Sequence, residues 1–517
     1  MAIKRYRADA DTTIVNAFQP GLVTRGTGAN MGQADVSEVF SIYGREAAYQ
    51  SSSDGITLAS QELSRMLTKF PVPAIIVDRA AGKIPASGSV SFYLRLFNAE
   101  HSKTVPRDYK LIVQPVSRSW EEGVGLDLEG YKDLTNGNTG ANWMMHATTS
   151  AWTAVGGDYL TASSVTFQQT FTTGLEDLEI DITSLAEQWI DGTYNNYGVG
   201  VRLSSSYEAY FSSSNQQDSA SVIYNPDGAT KSYYTKRFFA RGTQFFFKRP
   251  VLEARWNSTV KDDRGDFYYS SSLAPAADNL NIIYLYNYVR GRLTNIPDVG
   301  TTGEVYVSLY SGSADNSAPS GSKLLLYDST FNITGGYQST GIYTASMAIT
   351  AAATPIETLY DIWHSGGVEY FTGTIAPIVL RAAQTVAAPV HYCNITNLQS
   401  KYRSDEVARF NLYVRNKNWS PTIYTVATAT PESTTIVSAS YRVFRLMDAF
   451  EAIPYGTASE LSTQMSYDES GNYFDFDMNN LEPGYSYGFK FSFYDAALTS
   501  WVEQPNVFKF RVEDYEY

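Results

Sequence analysis

Ser119-Trp120-Glu121-Glu122-Gly123-Val124-Gly125 and, further on, Asp181-Ile182-Thr183-Ser184-Leu185-Ala186-Glu187-Gln188-Trp189-Ile190-Asp191-Gly192 frame the stretch from which this fold is read. In the second segment Leu185, Ala186, Trp189 and Ile190 fall on one side of a helical turn. Ser184 and Glu187 have capping-box spacing, and Gly192 follows where a helix would stop. One short helix is therefore predicted over 184–190. Around it the pattern is that of strands. Val199 to Leu203 alternate, and Val90, Phe92, Leu94 and Leu96 alternate with Ser91, Tyr93 and Arg95, which turns four apolar side chains to one face of a sheet. Lys110 to Val116 gives another strand.

Composition agrees with a β-rich chain. Aromatic residues make up 14%, with 39 Tyr and 26 Phe, against 18% charged; such side chains pack well on pleated surfaces. A length of 517 residues, set against roughly 150 per domain, predicts about three domains. The net charge of -14 argues against a nucleic-acid coat or an anionic membrane surface, both of which demand concentrated Lys and Arg. No apolar run is long enough to predict a membrane span. The basic cluster Lys4, Arg5 and Arg7 is not followed by the apolar run of a secretory signal. Cys393 is the sole cysteine, which excludes an intrachain disulfide and a thiolate zinc cluster. A chain folded in a reducing cytoplasm fits.

Several elements arrive in an order similar to that of the DNRLRE family, β-sandwich modules of carbohydrate-binding and phage virion proteins. Ala8-Asp9-Ala10-Asp11-Thr12-Thr13-Ile14 resembles the family's opening, and Arg65-Met66-Leu67-Thr68-Lys69-Phe70 its central R-x-L-x-x-F strand. The turn Gly82-Lys83-Ile84-Pro85 and the Trp120–Leu203 run follow. The resemblance implies a jelly-roll sandwich over 1–247 in which Trp120, Trp143 and Trp189 are framework. A second reading has Trp143, Trp152 and Tyr194 stacking on the faces of sugar rings.

Beyond that run, Lys236 to Pro250 interleaves Arg237, Arg241, Lys248 and Arg249 with Phe238, Phe239, Phe245, Phe246 and Phe247. Nucleic acid is one partner such a stretch suits. An acidic chain fits better with the Phe residues closing the sandwich and the basic groups meeting acidic surface nearby; a third reading is an inter-subunit seam. Together with Lys4, Arg5 and Arg7, these four basic residues are the candidate partner-binding groups. A second module, 248–390, holds Asp262, Asp263 and Asp266 at a spacing a calcium loop could use, but without the ordered ligands of an EF-hand. Strands are predicted at 280–290 and 304–310, and a hairpin over 361–373 carries His364 as a loop residue. After an Ala/Pro-rich linker at 381–390, the third module, 391–517, contains Leu481-Glu482-Pro483-Gly484-Tyr485-Ser486-Tyr487-Gly488-Phe489. This resembles the tyrosine corner of fibronectin type III and immunoglobulin-like domains, which implies that the Tyr487 hydroxyl bonds back to nearby backbone.

No enzyme template fits the residues. His101, His146, His364 and His391 form no His-x-x-x-His pair, and neither a Gly-x-Ser-x-Gly elbow nor a Walker loop occurs. Gly26 and Gly28 lack the strand and helix of a dinucleotide fingerprint. Glu121 and Glu122 would face opposite ways on a strand, so no carboxylate pair is marked for glycoside hydrolysis. No catalytic residue, cofactor or metal is assigned.

The expectation is an all-β chain of three consecutive β-sandwich modules, jelly-roll and immunoglobulin-like, with one short helix in the first. With the family resemblance, this is similar to large structural proteins of tailed bacteriophages. The resemblance implies a non-enzymatic, multi-copy virion component of the neck, tail, baseplate or fibre apparatus, or a head decoration. It would be assembled in the host cytoplasm and contact other virion proteins and copies of itself, with no nucleic acid or membrane partner. The rival is an adhesin module that holds host glycan.

Overall fold

The fold is all-β, built from several β-sandwich sheets whose strands pair antiparallel except for Lys401–Arg403, which runs parallel to Phe508–Glu513. The computed structural model describes residues 2–46, 49–50, 57–100, 106–126, 139–270, 275, 279–313, 318–326, 330–349, 356–378, 390–420, 423, 432–457 and 459–514. His101 and the predicted linker, Val390 excepted, lie outside the described residues. The chain divides into two compact units, Ala2–Trp256 and Asn257–Tyr517.

In the first unit a four-stranded sheet runs in the order Ile3–Arg7, Val251–Arg255, Ser91–Leu96, Leu178–Asp181. A seven-stranded sheet has the order Phe167–Phe171, Tyr109–Pro115, Val199–Leu203, Gln61–Lys69, Val36–Tyr43, Tyr233–Phe239, with Ala10–Asn16 also paired to Gln61–Lys69. One core gathers Phe92, Leu94 and Leu96 of the smaller sheet with Met66, Leu111, Val113, Val199, Val201 and Phe238 of the larger. The alternation read from 90 to 96 is thus the inward face of a sandwich, as the burial along Ser91–Leu96 shows.

Three features depart from expectation. The first unit ends at Trp256 rather than at 247, because Val251–Arg255 is an inner strand that pairs with Ile3–Arg7 on one side and Ser91–Leu96 on the other. Among the described residues of the first unit there are also two helices where one was predicted, Val72–Ala80 and Thr183–Ile190. The first starts with Pro in its opening turn, where a missing N–H leaves no intrahelical bond unmade. It sends Val72 and Ile75 into the core, beside Leu185, Ala186 and Trp189 of the second. The predicted Ser184–Glu187 capping box does not form. Asp181 Oδ1 accepts from Thr183 N at 2.8 Å instead, while Glu187 makes a two-pronged ion pair with Arg79, both contacts at 2.7 Å. Gly192 does follow the helix end, with φ +81.

Strand Gln61–Lys69 is buried on both faces up to Thr68. Its outer side meets a second apolar cluster of Ile14, Leu63, Leu67, Val116, Ala141, Trp143, Trp152 and Ala209. Chain segments from the Trp120 run and from 205–225 therefore lie over the larger sheet as an added layer.

In the second unit, one sheet takes the order Asn281–Tyr286, Ile342–Met347, Ile333–Ser339, Val305–Gly312, Leu359–Ser365, Val368–Ile375, with Pro319–Lys323 also paired to Val305–Gly312. Val305, Val307 and Leu309 are wholly buried, and the predicted hairpin forms between Leu359–Ser365 and Val368–Ile375. Two further sheets follow. One holds His391–Ile395, Val407–Asn416, Gly471–Asp477 and Ser466–Asp468; the other holds Lys401–Arg403, Phe508–Glu513, Ser486–Asp495, Ala439–Arg445 and Glu451–Ile453, with Ser500–Glu503 on Ser486–Asp495. Phe410, Tyr441, Phe474, Phe489 and Phe510 pack ring against ring, with centroids 4.3 to 6.4 Å apart. The tyrosine corner is present. Tyr487 is fully buried and its hydroxyl donates to Glu482 O at 2.8 Å.

Candidate functional site

The seven candidate basic residues divide by what they touch. Lys4 pairs with Asp78 at 2.7 Å, a carboxylate that also accepts from Tyr6 Oη at 2.9 Å. Arg5 donates to Glu253 at 2.8 Å on the outer face of the smaller sheet, where Arg95 and Arg255 reach the same carboxylate. Burial alone would raise the pKa of Glu253, yet Arg5, Arg95 and Arg255 outweigh it and hold the carboxyl far below the usual range. Arg237 pairs with Glu38 at 2.5 Å, and Arg241 grips Glu122 at 3.0 and 2.8 Å. Lys4, Arg5, Arg237 and Arg241 thus each meet a carboxylate of their own unit.

Arg7 and Arg249 differ. Neither has a carboxylate partner among the described residues; Arg7 lies 3.8 Å over the Phe246 ring, and Arg249 Nε donates to Thr243 O at 3.1 Å. Burial, and then the positive charges of Arg5 and Arg249, bring the Arg7 pKa down to about 10. Lys248 stands 5.4 Å over Phe97, and Phe245, packed on Phe239, is 53% exposed. An acidic chain therefore carries a local face where guanidinium groups crowd together among phenylalanines.

The proposed sugar platform is corrected. Trp143 is fully buried with Nε1 donating to Ser221 O at 2.8 Å, and Trp152 is buried with Nε1 donating to Asn142 O at 2.9 Å. Tyr194 is half-buried against the other core. The three rings form no exposed row. Trp120 is half-buried, its Nε1 donating to Tyr197 O at 2.7 Å, and Trp189 lies in the main core.

A cleft of about 580 Å³ opens over the outer face of the larger sheet. Arg65 and Glu208 form a buried two-pronged ion pair there, at 3.0 and 2.9 Å, and Arg65 also donates to Gly156 O at 3.0 Å. Burial alone would lower the Arg65 pKa; the Glu208 charge raises it above the ordinary value. Arg202 lines the same cleft, donating to Gln114 Oε1 at 3.0 Å and Leu203 O at 3.2 Å. At the mouth Arg118 pairs with Asp158 at 3.1 Å.

In the second unit His364 Nε2 lies 2.8 Å from Ser308 Oγ. That hydroxyl donates to Asn332 Oδ1 at 2.7 Å, whose orientation is fixed by Lys323 Nζ at 2.9 Å. The single hydroxyl proton thus points away from His364, so the imidazole is the donor in this pair and not a base for Ser308. Ser308 is also wholly buried. Asp262 Oδ1 accepts from Arg264 N at 3.1 Å, and Asp263 accepts from Ile282 N and Tyr467 Oη, both at 2.7 Å. Asp262 Oδ1 and both Asp263 oxygens are used by the chain itself, and no metal-ligating group of three or more occurs among the described residues.

No protein-family model and no curated protein matches this chain. Among solved structures it is similar to the N-terminal Ig1-2 module of the Drosophila receptor protein tyrosine phosphatase DLAR, at 8% identity over 46% of this chain and 91% of that one, with a TM-score of 0.14. It is also similar to the tandem Ig repeats of Dlar, at 7% identity over 40% and 82%, TM-score 0.12. A third is Salmonella alpha-2-macroglobulin reacted with methylamine, at 9% identity over 99% of this chain and 26% of that one, TM-score 0.15.

Arg65, Glu208 and Arg202 were not singled out in the sequence as a site. Arg202 is the one charged residue of the otherwise apolar strand Val199–Leu203, the local hint, but Arg65 sits among other polar residues of Gln61–Lys69, Glu208 lies in a loop, and 143 residues separate the ion pair.

Proposed function

We propose that this chain is a non-enzymatic structural component of a tailed-phage virion, present in several copies and joining neighbouring virion proteins. The observation that carries this reading is the Arg7–Arg249–Phe246 face. Positive charge without a carboxylate partner, set among aromatic rings on an acidic chain, is the composition of an interface core. An acidic surface of another virion protein, or of a second copy, supplies the missing counter-charge. Rigid sandwiches with filled cores suit a load-bearing spacer, and burial of Trp143 and Trp152 removes the platform on which the glycan-binding reading stood. The DNRLRE-like order of elements supports the same assignment.

A map of the intact particle tests it. The expected result is this face covered by an acidic neighbour over about 1,200 Å² or more. A chain absent from the particle, or one whose Arg7–Arg249 face is open to solvent there, refutes the reading. Reversing both charges, Arg7→Glu with Arg249→Glu, should leave the purified chain folded and reduce its incorporation into particles.

A further inference from the structure

The cleft over the larger sheet of the first unit is separate chemistry from the docking face. Its charges can be followed one by one. Arg65 and Glu208 cancel, with both carboxylate oxygens engaged by the guanidinium. Arg118 and Asp158 cancel at the mouth, where Asp158 also accepts from Thr153 N and Ala154 N. Arg202 is left. It has no carboxylate within ion-pair distance among the described residues, only the amide of Gln114 and the carbonyl of Leu203. A half-buried cation whose hydrogen bonds go to neutral acceptors is under-compensated until an anion joins it.

We propose that this cleft binds a small polar monocarboxylate, with the ligand carboxylate against the Arg202 guanidinium. One unmatched positive charge fits one negative charge. A dianion such as phosphate would face Glu208 and Asp158 with no second unmatched cation. The volume, about 580 Å³, lies within the range of small-molecule sites. Thr161 and Ser205 bring hydroxyl groups to the lining, and the Tyr159 ring forms a wall with its own hydroxyl engaged by Gly156 O at 2.9 Å. The Arg202 pKa is lowered first by burial and then by the Arg65 charge, which outweigh the opposing charge of Glu208.

Calorimetric titration of the full chain tests this with three probes: N-acetyl-L-serine, its neutral counterpart N-acetyl-L-serinamide, and inorganic phosphate. The acid should bind at least about tenfold tighter than the amide, as expected for a charge-assisted contact. Phosphate should bind no tighter than the acid. Arg202→Gln should bring the acid down to the level of the amide, and Arg202→Lys, which keeps the charge, should restore part of the preference and show that loss in the first variant is not unfolding. Equal binding of acid and amide, acid binding unchanged by Arg202→Gln, tighter phosphate binding, or no binding of the acid at about 10 mM would each overturn the proposal.

Discussion

Asp11 shows how one residue can set the pH response of the first unit. It is 1% exposed, accepts from Arg241 N at 2.6 Å, and has Glu122 as a close neighbour, whose carboxylate accepts from Asp11 N at 2.9 Å. Burial, reinforced by the Glu122 charge, raises its pKa to about 7 against the opposing Arg241 contact. A carboxyl whose folded pKa lies above its unfolded value favours folding most below the unfolded pKa. Its contribution is lost as pH rises through the folded value, here between about 4 and 7. Asp11→Asn should remove this slope, so that the variant gains stability relative to the parent, by on the order of a few kcal/mol, between pH 4.5 and pH 8. Urea unfolding at the two values reads the difference, and parallel curves would remove Asp11 as the cause. Tyr487 gives a second residue-scale test. Tyr487→Phe keeps the buried ring and leaves Glu482 O without this donor, so a loss of about 1–2 kcal/mol in unfolding free energy is expected. Its role was legible because a corner is a local motif, with donor and acceptor five residues apart. The partners of Lys4 and Arg5 were not, since Asp78 and Glu253 are brought to them only by the fold.

At the scale of elements, alternation was readable where one sheet face is buried and the other is less so, as in Ser91–Leu96. It failed where both faces are covered. Gln61–Lys69 shows no burial period, and its outer layer could not be foreseen from the strand. Helix Val72–Ala80 was missed because its prolines and its run of Ile75, Ile76 and Val77 look like a broken strand, whereas Pro in the first turn is compatible with helix. The Trp120 run owes its glycines to that outer layer. A Cβ on Gly125 would lie 1.9 Å from Asn30 O, and Gly125 N donates to Asn30 Oδ1 at 3.0 Å. Gly125→Ala must push two backbone segments apart, and should cost roughly 2–4 kcal/mol. Gly21→Ala, where a Cβ meets nothing within 4 Å, should stay within about 0.5 kcal/mol of the parent in the same thermal unfolding measurement. Similar losses in both would mean that Gly125 is not a packing constraint.

Over the whole molecule, the boundary of the first unit follows from pairing between residues that are remote in sequence. Among the described residues Ile3–Arg7 and Ser91–Leu96 are joined through Val251–Arg255, so removing that strand splits the smaller sheet, takes Leu252 out of the core and exposes Phe92 and Leu94. It also takes away Glu253 with Arg255, leaving Arg5 and Arg95 without the carboxylate they share. The Phe-rich stretch within 236–250 looks like the close of a module in sequence because pairing with residue 3 leaves no local trace. Two fragments separate these views. Residues 2–256 should fold alone, with a cooperative thermal transition and a protease-resistant core, since all the strands of both sheets are retained. Residues 2–247 should give no cooperative transition, because the loss combines exposed apolar surface with uncompensated buried charge, each worth several kcal/mol against a total stability of about 5–15 kcal/mol. Equal stability of the two fragments would show that Val251–Arg255 is an accessory strand and that the smaller sheet holds together without it.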